Sequence, residues 1–133
     1  MQFKQIWANL GVQDVKRTAA FYSALGFEPN GCLTADLASF VFSESHFVIH
    51  FFRKEKLESA MGENTVVMDN GSEVMFSIAA SSEQEVNEWA ENAQTAGGRI
   101  IKKAGRQEDG FYYCVFADPD GHKFNALLIE EGT

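Results

Sequence analysis

Several things are scarce or missing in this chain, and each absence removes a class of function. Basic residues number 11 against 19 acidic ones, a net charge of −8. DNA, RNA and anionic membranes demand a basic footprint, so none is expected as a partner. No apolar run approaches the ~18 residues of a membrane span. The start, Met1-Gln2-Phe3-Lys4-Gln5, lacks the apolar stretch of a secretory signal, and the chain is expected in the cytoplasm. There are two cysteines, Cys32 and Cys114, and with no sign of export they read as reduced thiols. There is no P-loop, dinucleotide fingerprint, nucleophile elbow or Cys-x-x-Cys. Cys114 falls on an expected strand without an assignable base, a poor setting for a nucleophile.

What is present is ordinary globular material with a heavy aromatic load. Of 133 residues, 45% are hydrophobic and twelve are Phe. A chain of this length buries roughly two-thirds of its unfolded surface, and large aromatics fill cores or line apolar pockets.

A pattern then occurs twice: a half-buried strand, a capped amphipathic helix ending at Gly, and more strands. In the first copy Ile6, Ala8, Leu10 and Val12 alternate with Trp7, Asn9 and Gly11. Asp14 is a suitable N-cap. Val15, Ala19 and Tyr22, flanked by Phe21 and Leu25, give an apolar helical face, and Gly26 suits the left-handed position past the end. Leu37 to Phe42 and Phe47 to Phe52 read as strands around the polar turn Ser43-Glu44-Ser45. Lys54 to Met61 reads as a short helix, and Gly62 to Gly71 as a linker.

The second copy runs from Val74-Met75-Phe76-Ser77-Ile78 into the capping box Ser82-Glu83-Gln84-Glu85. Val86, Trp89, Ala90, Ala93 and Ala96 share one helical face, and Gly97-Gly98 stops the helix. Ile100 begins a strand. Phe111 to Ala117 and Lys123 to Ile129 are the last two, joined by Asp118-Pro119-Asp120-Gly121, a type I turn signal. A repeat of this kind decides architecture before any motif does. It predicts an α+β fold of two βαβββ modules, residues 1–61 and 73–133, in one domain spanning 1–133 and sharing one sheet. Trp7, Phe52 and Leu127 lie on the face away from the helices, so that face needs a second cover, a ligand or a partner subunit.

The arrangement resembles the vicinal oxygen chelate superfamily of glyoxalase I, extradiol dioxygenases and bleomycin- and fosfomycin-resistance proteins. Three segments carry the likeness: Asn9 to Asp14 leading to Phe21-Tyr22-Ser23-Ala24-Leu25-Gly26-Phe27, then Ala96-Gly97-Gly98, then Phe116 to His122. The resemblance implies a cup-shaped mixed sheet with helices on its outer face, and a homodimer. It also implies where a metal would sit. Metal-dependent relatives carry His or Gln, Glu, His and Glu on the first, fourth, fifth and eighth strands. Carried onto this chain, those positions fall on Trp7, His50, Met75 (or Glu73 in another register) and Asn125. An indole N–H only donates, a thioether is soft, and Asn offers a neutral oxygen. His50 alone is a good ligand, whereas a catalytic metal has three. No cofactor is therefore expected, a divalent metal being the weaker alternative.

Each candidate also has a plainer reading. His50 can be a buried histidine bonded to a neighbour, a catalytic acid–base or ligand-orienting group, or a metal ligand. Trp7 is either an aromatic wall or core filling, and Met75 is packing. Asn125 bonds a ligand or His50, or makes a structural bond. Of Tyr112 and Tyr113, Tyr113 is expected to face the cup. Arg106, in the loop Lys103 to Glu108, is a solvated charge or an anion clamp. His46 is expected in solvent, and His122 is structural in its turn. The reading that results is metal-independent binding of a small, partly aromatic or apolar molecule by Trp7, Asn9, His50, Phe52, Met75, Arg106, Tyr113 and Asn125. The alternative is a glyoxalase-like lyase or dioxygenase-like enzyme with a displaced metal site, His50 its best catalytic candidate.

Overall fold

A computed structural model of the chain describes residues 5–62 and 74–130. The chain divides into two compact units, Met1–Met68 and Asp69–Thr133, and each repeats the order strand, helix, three strands. The first holds β1 (Ala8–Val12), α1 (Val15–Ala24), β2 (Glu28–Pro29), β3 (Leu37–Val41), β4 (Val48–Arg53) and α2 (Lys54–Met61). The second holds β5 (Met75–Ala80), α3 (Glu83–Thr95), β6 (Arg99–Arg106), β7 (Tyr112–Ala117) and β8 (Lys123–Leu128). Each unit closes its own four-stranded mixed sheet, in the orders β1-β4-β3-β2 and β5-β8-β7-β6. The hydrogen-bonded ladder expected as one sheet is thus two. The linker expected from Gly62 lies, beyond Gly62 itself, outside the described residues, as does Glu73.

The helix ends explain why the repeat is visible in sequence. The Asp14 carboxylate accepts from the Arg17 backbone N–H at 3.1 Å, and the Ser82 hydroxyl from that of Glu85 at 3.0 Å. Both satisfy an N–H that has no intrahelical partner. In the second unit the reciprocal half of the box reaches one residue further back. Glu85 accepts from the backbone N–H and the hydroxyl of Ser81, and these bonds hold its carboxyl below its ordinary range. Gly26 and Gly97 have φ of 95° and 108°, left-handed values that a Cβ disfavours. The following N–H closes on the carbonyl five residues back, Phe27 to Tyr22 and Gly98 to Ala93, the same Schellman cap in both copies.

Each helix covers one face of its own sheet. In the first unit Tyr22 from α1 meets Phe40 and Phe51, and Phe21 is buried beside it, all at most 2% exposed. Tyr22 stacks on Phe51 with centroids 4.5 Å apart, and Phe21 meets Tyr22 edge-on. Such pairs contribute about 0.5–1.5 kcal/mol beyond their burial. In the second unit Trp89 of α3 stacks on Phe116, which stacks on Phe124. The buried Val86 and Ala93 complete the helix side, and the Cys114 thiol points at the Val86 carbonyl. Ile6 is a correction. Expected to pack inward with Ala8 and Leu10, it precedes β1 and is 80% exposed. Among the described residues no helix is long and apolar enough to cross a membrane.

Candidate functional site

Strand register settles which side chains share the face away from the helices. In the first unit β1 and β4 run parallel, pairing Asn9 with His50 and Gly11 with Phe52. The antiparallel β3 adds Ser39 opposite His50 and Leu37 opposite Phe52. Since side chains alternate, His50 and Phe52 lie opposite the buried Ile49 and Phe51. Trp7 reaches the same place from just before β1, with its ring 5.9 Å from that of His50. Phe52 also meets His50, edge-on at 5.8 Å. The imidazole is thus flanked by two aromatic rings, and burial lowers its pKa from the ordinary 6.5. The shift favours the neutral imidazole, which has one donor and one acceptor nitrogen. A hollow of about 660 Å³ lies here, lined by Trp7, His50, Gln5, Asn30, Ser45 and His46 among others.

The second unit repeats the scheme with different chemistry. β5 and β8 run parallel, pairing Ser77 with Asn125 and Met75 with Lys123, and β7 places Val115 opposite Asn125 and Tyr113 opposite Leu127. A hollow of about 420 Å³ is lined by Met75, Ile101, Phe111, Val115 and Leu127, with Asn125, Tyr113, Lys102 and Asp109 as its polar members. Both hollows fall in the size range of small-molecule sites. At the rim the Tyr113 hydroxyl donates to Asp109 at 3.1 Å and stands 3.4 Å from the Lys102 ammonium. Asn125 is 5% exposed, and its Oδ1 has no hydrogen-bond partner among the described residues. Such orphans are few in native proteins, and each calls for an explanation.

The residues singled out from sequence therefore fall into groups. Trp7, His50 and Phe52 come together in the first unit, with Asn9 beside His50 in the register. Met75, Tyr113 and Asn125 come together in the second. Tyr113, not Tyr112, is the one on this face; Tyr112 bonds Asn87 of α3 on the helix side. Arg106 is not brought to either hollow. It ends β6, lies over the Tyr112 ring, and pairs with Glu130 at 2.6 Å and Glu83 at 3.4 Å. Those carboxylates are distant in sequence, so nothing local announced them. Nor was His46 foreseen: expected in solvent, it is exposed, but it lines the first hollow with φ of 63°. Ser77, the register partner of Asn125, and Lys102 and Asp109 were also missed. Turn geometry and a register shift within β6 place the last two.

The metal that the resemblance implies does not fit these donors. Of the four strand positions, Trp7, Met75 and Asn125 supply an indole donor, a thioether and a neutral amide, and His50 supplies the one imidazole. Among the described residues no three His, Cys, Asp or Glu side chains cluster where they could hold an ion.

Comparison with solved structures agrees with the topology. A hypothetical protein, SA1046, from S. aureus is 26% identical, with TM-score 0.83 over 97% of this chain and 96% of that one. A glyoxalase-related enzyme from Fulvimarina pelagi is 24% identical, with TM-score 0.82 over 96% and 89%. A lactoylglutathione lyase from Agrobacterium tumefaciens is 20% identical, with TM-score 0.69 over 94% and 92%; at these identities the last two establish the fold alone. Comparison with curated proteins finds no match. The family model described as Glyoxalase/Bleomycin resistance protein/Dioxygenase superfamily matches residues 4–126. The repeated βαβββ units and this match over nearly the whole length lead to one conclusion: the chain belongs to the glyoxalase/bleomycin resistance protein/dioxygenase superfamily.

Proposed function

We propose that this chain is a metal-independent binder of small, partly aromatic or apolar molecules, held on the sheet faces away from the helices. The observation that carries the reading is the hollow of the second unit, mostly apolar in its lining, with Asn125, Tyr113, Lys102 and Asp109 as its few polar members. An apolar pocket with a few placed polar atoms is how such sites are usually built. In the first unit, Trp7 offers an aromatic surface at 46% exposure, with His50 beside it to orient a ligand. The same reading expects a homodimer, which light scattering checks.

Native mass spectrometry of freshly purified, untagged protein tests the proposal, reporting metal, co-purified ligand and assembly together. A small organic molecule, or saturable thermal stabilisation by one from an aromatic metabolite set, is the expected result. About one equivalent of Ni, Zn, Mn or Fe per chain, lost on His50→Ala, would overturn it. That result would favour the second reading, a lyase- or dioxygenase-like enzyme. The neutral, ring-flanked imidazole of His50 is the one feature that speaks for it, since a base must be unprotonated to act.

A further inference from the structure

We infer that the hollow of the first unit takes an aromatic acid, its ring laid on Trp7 and its carboxylate on the imidazole of His50. The inference rests on the binding function proposed above and names the ligand class for this hollow.

Both groups are open to a ligand. Trp7 is 46% exposed, and its ring stands 5.9 Å from that of His50 in the lining of a hollow of about 660 Å³. His50 makes no hydrogen bond among the described residues, and its ring nitrogens are not shut off from solvent; there, Asn125 has the one side-chain polar atom that is both buried and unpartnered. The imidazole thus offers nitrogens that an incoming group can reach and that no protein group already uses.

The charges around it decide the class. His50 and His46 are the ionisable members of the lining, and Gln5, Asn30 and Ser45 add neutral polar groups. Among the described residues no Asp, Glu, Lys or Arg lines the hollow. Glu28, opposite Val41 on the outermost strand, shares the face by register but stays exposed outside the lining. A cation entering here finds no carboxylate and gives up hydration to neutral groups. A carboxylate finds an N–H, since the neutral imidazole carries one and burial favours that form of His50. A hydrogen bond to an ionised acceptor is roughly twice as strong as one between neutral groups. The net charge of −8 is screened beyond about 8 Å at physiological salt, so the lining sets the preference.

Trp7 fixes the rest of the ligand. Its exposed face suits a planar ring in offset stacking. The 5.9 Å from indole to imidazole is within reach of a carboxylate at the edge of such a ring.

The test is calorimetric titration of the intact protein at neutral pH with 2-naphthoate, its neutral isostere 2-naphthamide and the cation 2-naphthylmethylamine. Wild type should bind the acid about fivefold or more tighter than the amide, and the amine most weakly. His50→Leu, which has no donor, should bind acid and amide alike. If Leu unsettles the fold, nuclear magnetic resonance of the wild type keeps the test, because the ring resonances of His50 should shift as 2-naphthoate is added. Equal wild-type affinities for acid and amide, a preference that survives in His50→Leu, or unmoved His50 resonances overturn the inference and leave the binding function standing. No saturable binding of any of the three also overturns it, and the binding function falls as well if the aromatic metabolite set gives none.

Discussion

Replacing Asn125 by Leu should make the ligand-free protein more stable, the reverse of what a buried structural residue does. An acceptor buried without a partner costs about 1–3 kcal/mol of desolvation, and Oδ1 of Asn125, which has no partner among the described residues, is in that position with 5% of the residue exposed. Leu has no polar atom to bury. Its extra volume is the opposing contribution: a residue 5% exposed has packed neighbours, but the adjoining hollow of about 420 Å³ gives them room to shift and keeps overpacking strain small. The expected gain is about 1–2 kcal/mol, or roughly 3–8 °C in Tm for a chain of this size. The assay is urea unfolding followed by tryptophan fluorescence. There are two tryptophans, Trp7 in the first unit and Trp89 in the second. On a Trp7→Phe background the signal reports Trp89, stacked on Phe116 in the same unit as Asn125. A higher midpoint with unchanged slope is the predicted outcome. A loss of 1 kcal/mol or more in Asn125→Leu would refute the reasoning, because it would show that the amide holds the fold through bonds of its own.

Other consequences are open to measurement. Trp7→Ala should abolish ligand-induced stabilisation in the first unit while Trp7→Phe retains part of it. At 46% exposure the intrinsic loss for Ala should be about 1–2 kcal/mol, below the 3–5 of a fully buried ring; equal stabilisation of both variants by every ligand would show that Trp7 is not at the site. The folded pKa of His50 lies below its unfolded 6.5. The unfolded chain therefore takes up the proton first as pH falls, and stability should decline from about pH 7 downward until the folded pKa is passed; His50→Gln should flatten that part of a Tm-against-pH curve. Cys32 is exposed, whereas Cys114 is buried with its pKa raised by desolvation. A thiol reagent at pH 8 should therefore modify Cys32 alone, counted by mass, until urea exposes Cys114.

What could be read from the chain beforehand was what short-range chemistry decides. Asp14 and Ser82 cap because the donor lies three residues on, and Gly26 and Gly97 terminate because one residue must turn left-handed. Alternation set Trp7 on the face away from the helices and left one of Tyr112 and Tyr113 to share such a face, because a strand has only two; His50 and Asn125 came from the resemblance, not from periodicity. It failed for Ile6, since alternation does not say where pairing begins, and β1 starts at Ala8. Arg106 stayed open between a solvated charge and an anion clamp because its partners, Glu83 and Glu130, are reached only through tertiary structure. Ser77 went unnoticed beside Asn125 because parallel register between strands so far apart in sequence has no local signature. His46 and Asp109 belong to turns, where periodicity is silent.

The parallel pairings have a consequence for how the protein is made. In each sheet the first strand of the unit lies at one end of the strand order and, among the described residues, pairs with the last strand of that unit, β1 with β4 and β5 with β8. On a ribosome, β1 finds its partner once Arg53 has been translated. β5 waits for Lys123 to Leu128, a longer stretch of chain than separates β1 from β4. The second sheet is therefore slower to complete, with β5 a bare backbone edge in the interval. A premature stop after Ala117 would leave Met75–Ala80 without a ladder and strip α3 of part of its floor. The nascent second unit, more than the first, is where a chaperone would find something to hold.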